Sequence, residues 1–75
     1  MKELVETIAK ALVDSPEEVV VTEETSDKGI LVTLKVAQSD VGKVIGKQGK
    51  VANAIRSVVK AAGIRKGVHV MVDID

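Results

Sequence analysis

The chain contains no cysteine, so neither a disulfide framework nor a thiolate metal site is available to it. It has no Phe, Tyr or Trp either, which removes aromatic stacking platforms for flat ligands and leaves the core to aliphatic packing. His69 is the single imidazole and has no second ligand at metal-binding spacing. No paired carboxylates, Cys/His pair or nucleophile–base set stands near any candidate site, so the chain is not expected to be an enzyme or to carry a metal or cofactor. No run approaches the roughly 18 apolar residues of a membrane span, and the N-terminal segment is amphipathic rather than continuously apolar. A cytoplasmic protein with no membrane partner is the expectation.

Seventy-five residues allow one domain, residues 1–75. A chain of this size buries only about 60% of its unfolded surface, so its stability should be modest. The formal net charge of zero hides a segregation. Residues 37–66 carry seven basic side chains against Asp40 alone, while residues 1–36 carry four against eight acidic ones, and Asp73 and Asp75 supply the remainder. A basic stretch of this kind is either the electrostatic footprint of a polyanion or a solvated helix face.

Periodicity orders the elements. Residues 2–13 place Leu4, Val5, Ile8, Ala11 and Leu12 on one helical stripe. Asp14 to Glu18 read as a loop with room for one helical turn, and the β-branched run Val19 to Thr22 reads as a strand. Glu23 to Gly29 is polar and ends in glycine, as a hairpin connection would. Ile30, Val32, Leu34 and Val36 then alternate with Leu31, Thr33 and Lys35, and Val68, Val70, Val72 and Ile74 alternate in the same way. Between these two strands lie a helix of about two turns, capped by Ser39 or Asp40, and a longer one over Lys50 to Gly63, with Gly63 as its stop. The longer helix places Val51, Ile55, Val58, Val59 and Ala62 on one side and Lys50, Asn53, Arg56, Ser57 and Lys60 on the other. Ala52 and Val59 sit at the margin of this apolar arc, where exposed they would offer a partner contact. The order α-β-β-α-α-β predicts an α+β two-layer sandwich, a three-stranded mixed sheet with three helices on one face. Its first two strands should form an antiparallel hairpin. The helical connection should bring the third beside the second in parallel.

The link between the two later helices is Gly46-Lys47-Gln48-Gly49, with Val44-Ile45 before it and Lys43, Lys47 and Lys50 supplying charge. Neither the Gly-x4-Gly-Lys-Ser/Thr spacing of a P-loop nor the dinucleotide Gly-x-Gly-x-x-Gly is present. Glycines let the backbone turn tightly and let another backbone approach, and a following helix N-terminus favours an anion. Two glycines alone would also suit a tight turn that binds nothing.

These residues, with the preceding Gln38-Ser39-Asp40-Val41-Gly42-Lys43 and the helix carrying Val51, Ile55 and Val58, resemble the KH domain of type II. They are similar in particular to the small bacterial single-KH RNA-binding family of the KhpA type, and the resemblance covers essentially the whole chain. It implies that the GXXG loop holds the backbone of single-stranded RNA over about four nucleotides. Lys43, Val44, Ile45, Gly46, Lys47, Gln48, Gly49, Lys50 and Arg56 are the residues it places at or near that site. Val44 or Ile45, with Leu34 or its strand neighbours, would border the groove for bases, whereas Arg56 has solvent as its alternative partner. The resemblance also implies a role in post-transcriptional regulation or RNA chaperoning. It further implies a homodimer, or a complex with a larger protein carrying a KH domain beside a second nucleic-acid-binding domain. The alternative reading is a KH-fold scaffold for protein contacts with little RNA affinity.

Overall fold

Alternation builds the sheet. Val32 and Leu34 turn to one face and are buried, while Leu31, Thr33 and Lys35 turn to the other, as the period of two in a strand dictates. In the computed structural model, which describes residues 1–75, this run is β2 (Gly29–Lys35). It pairs antiparallel with β1 (Val20–Ser26) and parallel with β3 (Val70–Ile74), so the sheet order is β1-β2-β3. Val21 stands opposite Leu34, and Val70 and Val72 stand opposite Ile30 and Val32.

Three helices cover the apolar side. Val5 and Ala9 of α1 (Lys2–Leu12), Val44 of α2 (Val41–Ile45), and Ile55 and Val59 of α3 (Lys50–Lys66) join Val21, Val32, Leu34, Val36 and Val70 in one cluster. The core is wholly aliphatic. Each fully buried Val, Leu or Ile contributes about 1.5–3 kcal/mol. The outer side of the sheet is left to solvent, with Thr22, Glu24, Lys35, Met71 and Asp73 exposed. This α-β-β-α-α-β sandwich is the type II KH arrangement.

Several boundaries differ from the sequence reading. β1 continues past Thr22 to Ser26, because Glu23, Glu24 and Thr25 pair with Val32, Leu31 and Ile30, and the connection shrinks to Asp27-Lys28. The single helical turn expected between Asp14 and Glu18 is present, as a 3-10 turn over Pro16–Glu18. On α1 the buried stripe is Val5 and Ala9, and Ala11 and Leu12 are exposed instead.

The largest revision concerns α3. Gly63 does not stop it: the helix runs to Lys66, and Gly67, at φ 73°, ends it. There the N–H of Gly67 donates to the carbonyl of Ile64 at 3.1 Å and that of Val68 to Gly63 at 2.9 Å, the paired bonds of a Schellman cap. Gly63 is buried because β3 crosses directly over it. A Cβ at this position would lie 2.7 Å from Cγ2 of Val70 and 2.9 Å from the Val68 carbonyl oxygen. Ala52, Ile55, Val59 and Gly63 thus form the inward stripe, so Ala52 and Val59 are core residues, while Val58 and Ile64 are exposed.

Candidate nucleic-acid interface

The GXXG segment is a turn whose shape is set by its backbone. The N–H of Gly46 closes α2 by donating to the Gly42 carbonyl at 2.9 Å, and Gly46 then takes φ 76° and ψ 172°. That combination is essentially restricted to glycine. A Cβ there would also collide with the Val51 side chain, whose own Cβ would be 2.8 Å away. Lys47–Gly49 forms one 3-10 turn, closed by the Gly49 N–H donating to Gly46 at 3.1 Å. Gln48 at φ 57° and Gly49 at φ 77° are both left-handed, and α3 begins at Lys50.

This turn presents donors and positive charge outward. Lys47, Gln48 and Lys50 are exposed, and the N–H groups of Lys47 and Gln48 donate to no backbone carbonyl. The first turn of α3 holds no acidic residue, and no side chain caps it. An anion seated here meets free N–H groups, the positive end of a 17-residue helix and two ammonium groups.

The other sequence-selected residues are engaged elsewhere. Val44 is fully buried, so it supports the turn from within the core instead of offering a contact, while Ile45 is half-buried beside it. Leu34 also has no exposed surface, which removes it from any groove wall. Arg56 is exposed and lies against the outer edge of β3, where its Nε donates to the Val72 carbonyl at 3.3 Å and its Nη1 to Asn53 Oδ1 at 3.4 Å. The structure therefore gathers Ile45, Gly46, Lys47, Gln48, Gly49 and Lys50 at the turn and ties Arg56 to the strand edge.

Lys43 has two acidic partners, Asp40 at the i,i+3 spacing of a helical ion pair and Asp14 from a distant segment. Its Nζ sits 2.7 Å from Asp14 Oδ2 and 3.3 Å from Asp40 Oδ1. Asp40 does not cap α2. It is buried, and its two carboxylate oxygens accept the backbone N–H groups of Asp14 and Ser15 at 3.2 and 3.0 Å, fastening the α1–β1 connection to the start of α2. Burial pushes the Asp40 carboxyl up, but these two N–H groups and the Lys43 ammonium outweigh it and hold it below its ordinary value. The hydrogen bonds to Asp14 and then Asp40 raise the Lys43 ammonium above its own. A pairing across more than twenty residues leaves no trace in local spacing.

A family model described as KhpA/KhpB, KH domain, matches residues 2–74. The chain belongs to this family. Among KhpA/KhpB relatives, the RNA-binding protein KhpA of Clostridium acetobutylicum is 57% identical over 74 residues, covering 99% of both chains. The RNA-binding protein KhpA of Clostridium perfringens is 58% identical with the same coverage, and that of Aquifex aeolicus is 42% identical over 99% of this chain and 94% of its own length. Among solved structures, Era in complex with MgGDPNP and nucleotides 1506–1542 of 16S ribosomal RNA superimposes with a TM-score of 0.62 at 16% identity. The superposition covers 97% of this chain and 28% of the Era chain, and it shows a shared fold. No helix is long and apolar enough to cross a membrane.

Proposed function

We propose that this protein binds single-stranded RNA without catalysing a reaction on it, gripping the sugar-phosphate backbone with the Gly46–Gly49 turn over about four nucleotides. The observation that carries this reading is the turn itself: a backbone held in left-handed and glycine-restricted conformations, with the Lys47 and Gln48 N–H groups free and two lysines beside them. A turn serving only to reverse the chain would use the same glycines, but needs neither the free N–H groups nor the lysines. Membership of the KhpA/KhpB family, and full-length relatives named as RNA-binding proteins, support the same reading. Gly46 and Gly49 admit the nucleic-acid backbone closely, Lys47 and Lys50 neutralise phosphates, and Ile45 borders the site. The protein acts in the cytoplasm, in post-transcriptional regulation or as an RNA chaperone. Without aromatic side chains to stack on bases, affinity rests mainly on phosphates.

The decisive test is Lys47→Asp with Gln48→Asp. Both glycines stay, and exposed substitutions of this kind change stability by less than about 0.5 kcal/mol each. RNA affinity should collapse while the circular dichroism spectrum and Tm stay near wild type. Lys2→Asp with Lys10→Asp on α1 changes the net charge more, by four units against three, yet should weaken binding far less. Equal losses would mean diffuse attraction, and an unchanged loop variant would refute the site.

One site of this size holds RNA weakly, so the protein works paired with itself or with a larger KH protein. An apolar face supports the pairing: Leu12 of α1 and Ala54 and Val58 of α3 are exposed around a groove floored by Ile8, Val51 and Ile55.

A further inference from the structure

Lys43 stands one helical turn before Gly46, where its charge would add to the grip on RNA. The sequence counts it as free, but the structure pairs it with two carboxylates, so the cluster of Asp14, Asp40 and Lys43 carries a net charge of −1 beside a basic turn. The two acids are unlike. Asp40 is immobilised: its side chain is 1% exposed and both oxygens are occupied by backbone N–H groups. The Asp14 side chain is 79% exposed, and its one bond is the 2.7 Å contact to Lys43, the shorter of the two ion pairs. Lys43 itself keeps 44% of its side chain exposed. An exposed pair of this type is worth little in stability, so the contact is easily exchanged for another anion.

We propose that Asp14 competes with the RNA backbone for Lys43, withholding one phosphate contact from the loop and setting the affinity of the site below what its lysines would give. The proposal rests on the RNA-binding reading above. In this arrangement Asp40 is the fixed partner of Lys43, and Asp14 is the partner displaced by a phosphate. RNA that engages Lys43 must break the Asp14 pair and approach an uncompensated carboxylate.

Asp14→Asn tests it, because the substitution leaves the backbone N–H to Asp40 in place and removes only the exposed charge. One additional neutralised phosphate on a single strand steepens the slope of log K against log salt by about 0.7, which is about fivefold tighter binding at 0.1 M salt. Asp14→Asn should therefore bind unstructured RNA about fivefold more tightly at that salt, with the steeper slope and an unchanged Tm. In a Lys43→Gln background the same substitution should have almost no effect. An equal gain in that background would show plain repulsion by Asp14 and overturn the proposal. Weaker binding by Asp14→Asn would show that Asp14 aims Lys43 at the phosphate, and would overturn it too. If the Lys47→Asp, Gln48→Asp variant loses RNA while Asp14→Asn matches wild type, this proposal fails and the RNA site stands. If that loop variant binds normally, the site fails and the proposal with it.

Discussion

Gly46 and Gly49 are the same residue at nearly the same φ, yet they are not equally replaceable. At Gly49 an added Cβ meets only the Asn53 side chain at 4.0 Å, so Gly49→Ala bears just the left-handed penalty of about 1–2 kcal/mol, and Gly49→Asn less. Gly46 combines a glycine-restricted ψ of 172° with overlap on Val51, so Gly46→Ala should cost about 3 kcal/mol or more. Urea unfolding of the two variants measures the difference, and equal costs would contradict the geometry. Asp40 supports a second expectation. Its folded pKa is depressed, so its stabilisation is complete above the ordinary aspartate value of about 3.9 and is lost as pH falls through the lower folded value. Lys43, raised, contributes fully below about 10.4 and loses that contribution as pH climbs beyond it. Asp40→Asn should therefore lower Tm at neutral pH, and the gap to wild type should narrow once pH drops below about 4. A gap that stays constant down to pH 2 would mean the charge of Asp40 contributes nothing.

Within the elements, the packing partner decides what a glycine does. Alanine at Gly42, in α2 with nothing within 4 Å of the added Cβ, should stabilise by about 0.5–1 kcal/mol. Alanine at Gly63 gains a similar helix propensity but meets the Val68 carbonyl and Val70, so the net change should be a loss of about 1–3 kcal/mol. Opposite shifts in Tm are the outcome to look for. The same contrast explains what was legible in the sequence. The alternation over Ile30–Val36 and Val68–Ile74, and the helical spacing of α1 and α3, report period and hence element type, so the order and the sandwich could be read directly. The GXXG turn was legible because its glycines are separated by polar residues and flanked by lysines. Gly63 was misread because close packing and helix termination use the same residue, and a lone helix gives no sign of which strand will cross it. Val58 and Val59 exchanged places for a related reason: a 100° step leaves both on one wide apolar arc, and the docking of β3 over Gly63 selects Val59. The pairing of Lys43 with Asp40 has the i,i+3 spacing of a helical ion pair and could have been read, whereas its pairing with Asp14 joins residues brought together by the fold, and no local pattern carries it.

For the molecule as a whole, a net charge of zero coexists with a basic turn, so binding should respond to salt even though the protein is neutral. Two phosphates neutralised by Lys47 and Lys50 predict a slope of about −1.4 in log K against log salt, and a salt-independent affinity would exclude the electrostatic grip. Light scattering at micromolar concentration should show more than a monomer, and Val58→Glu on the apolar face between α1 and α3 should return it to one. A wild-type protein that is strictly monomeric yet binds tightly would remove the need for pairing. The Gly46–Gly49 turn also sits midway along the connection that joins two parallel neighbours, β2 and β3. Antiparallel β1 and β2 can meet across Asp27-Lys28 early in folding, but β3 docks only after α2, the turn and α3 are laid across the sheet. Detachment of β3 therefore also frees the C-terminal half of α3 that rests on it, and with it the frame that fixes the turn. The lifetime of the proposed RNA site is then bounded by the opening of the β2–β3 ladder, and amide hydrogen exchange along β3 times both events with one clock.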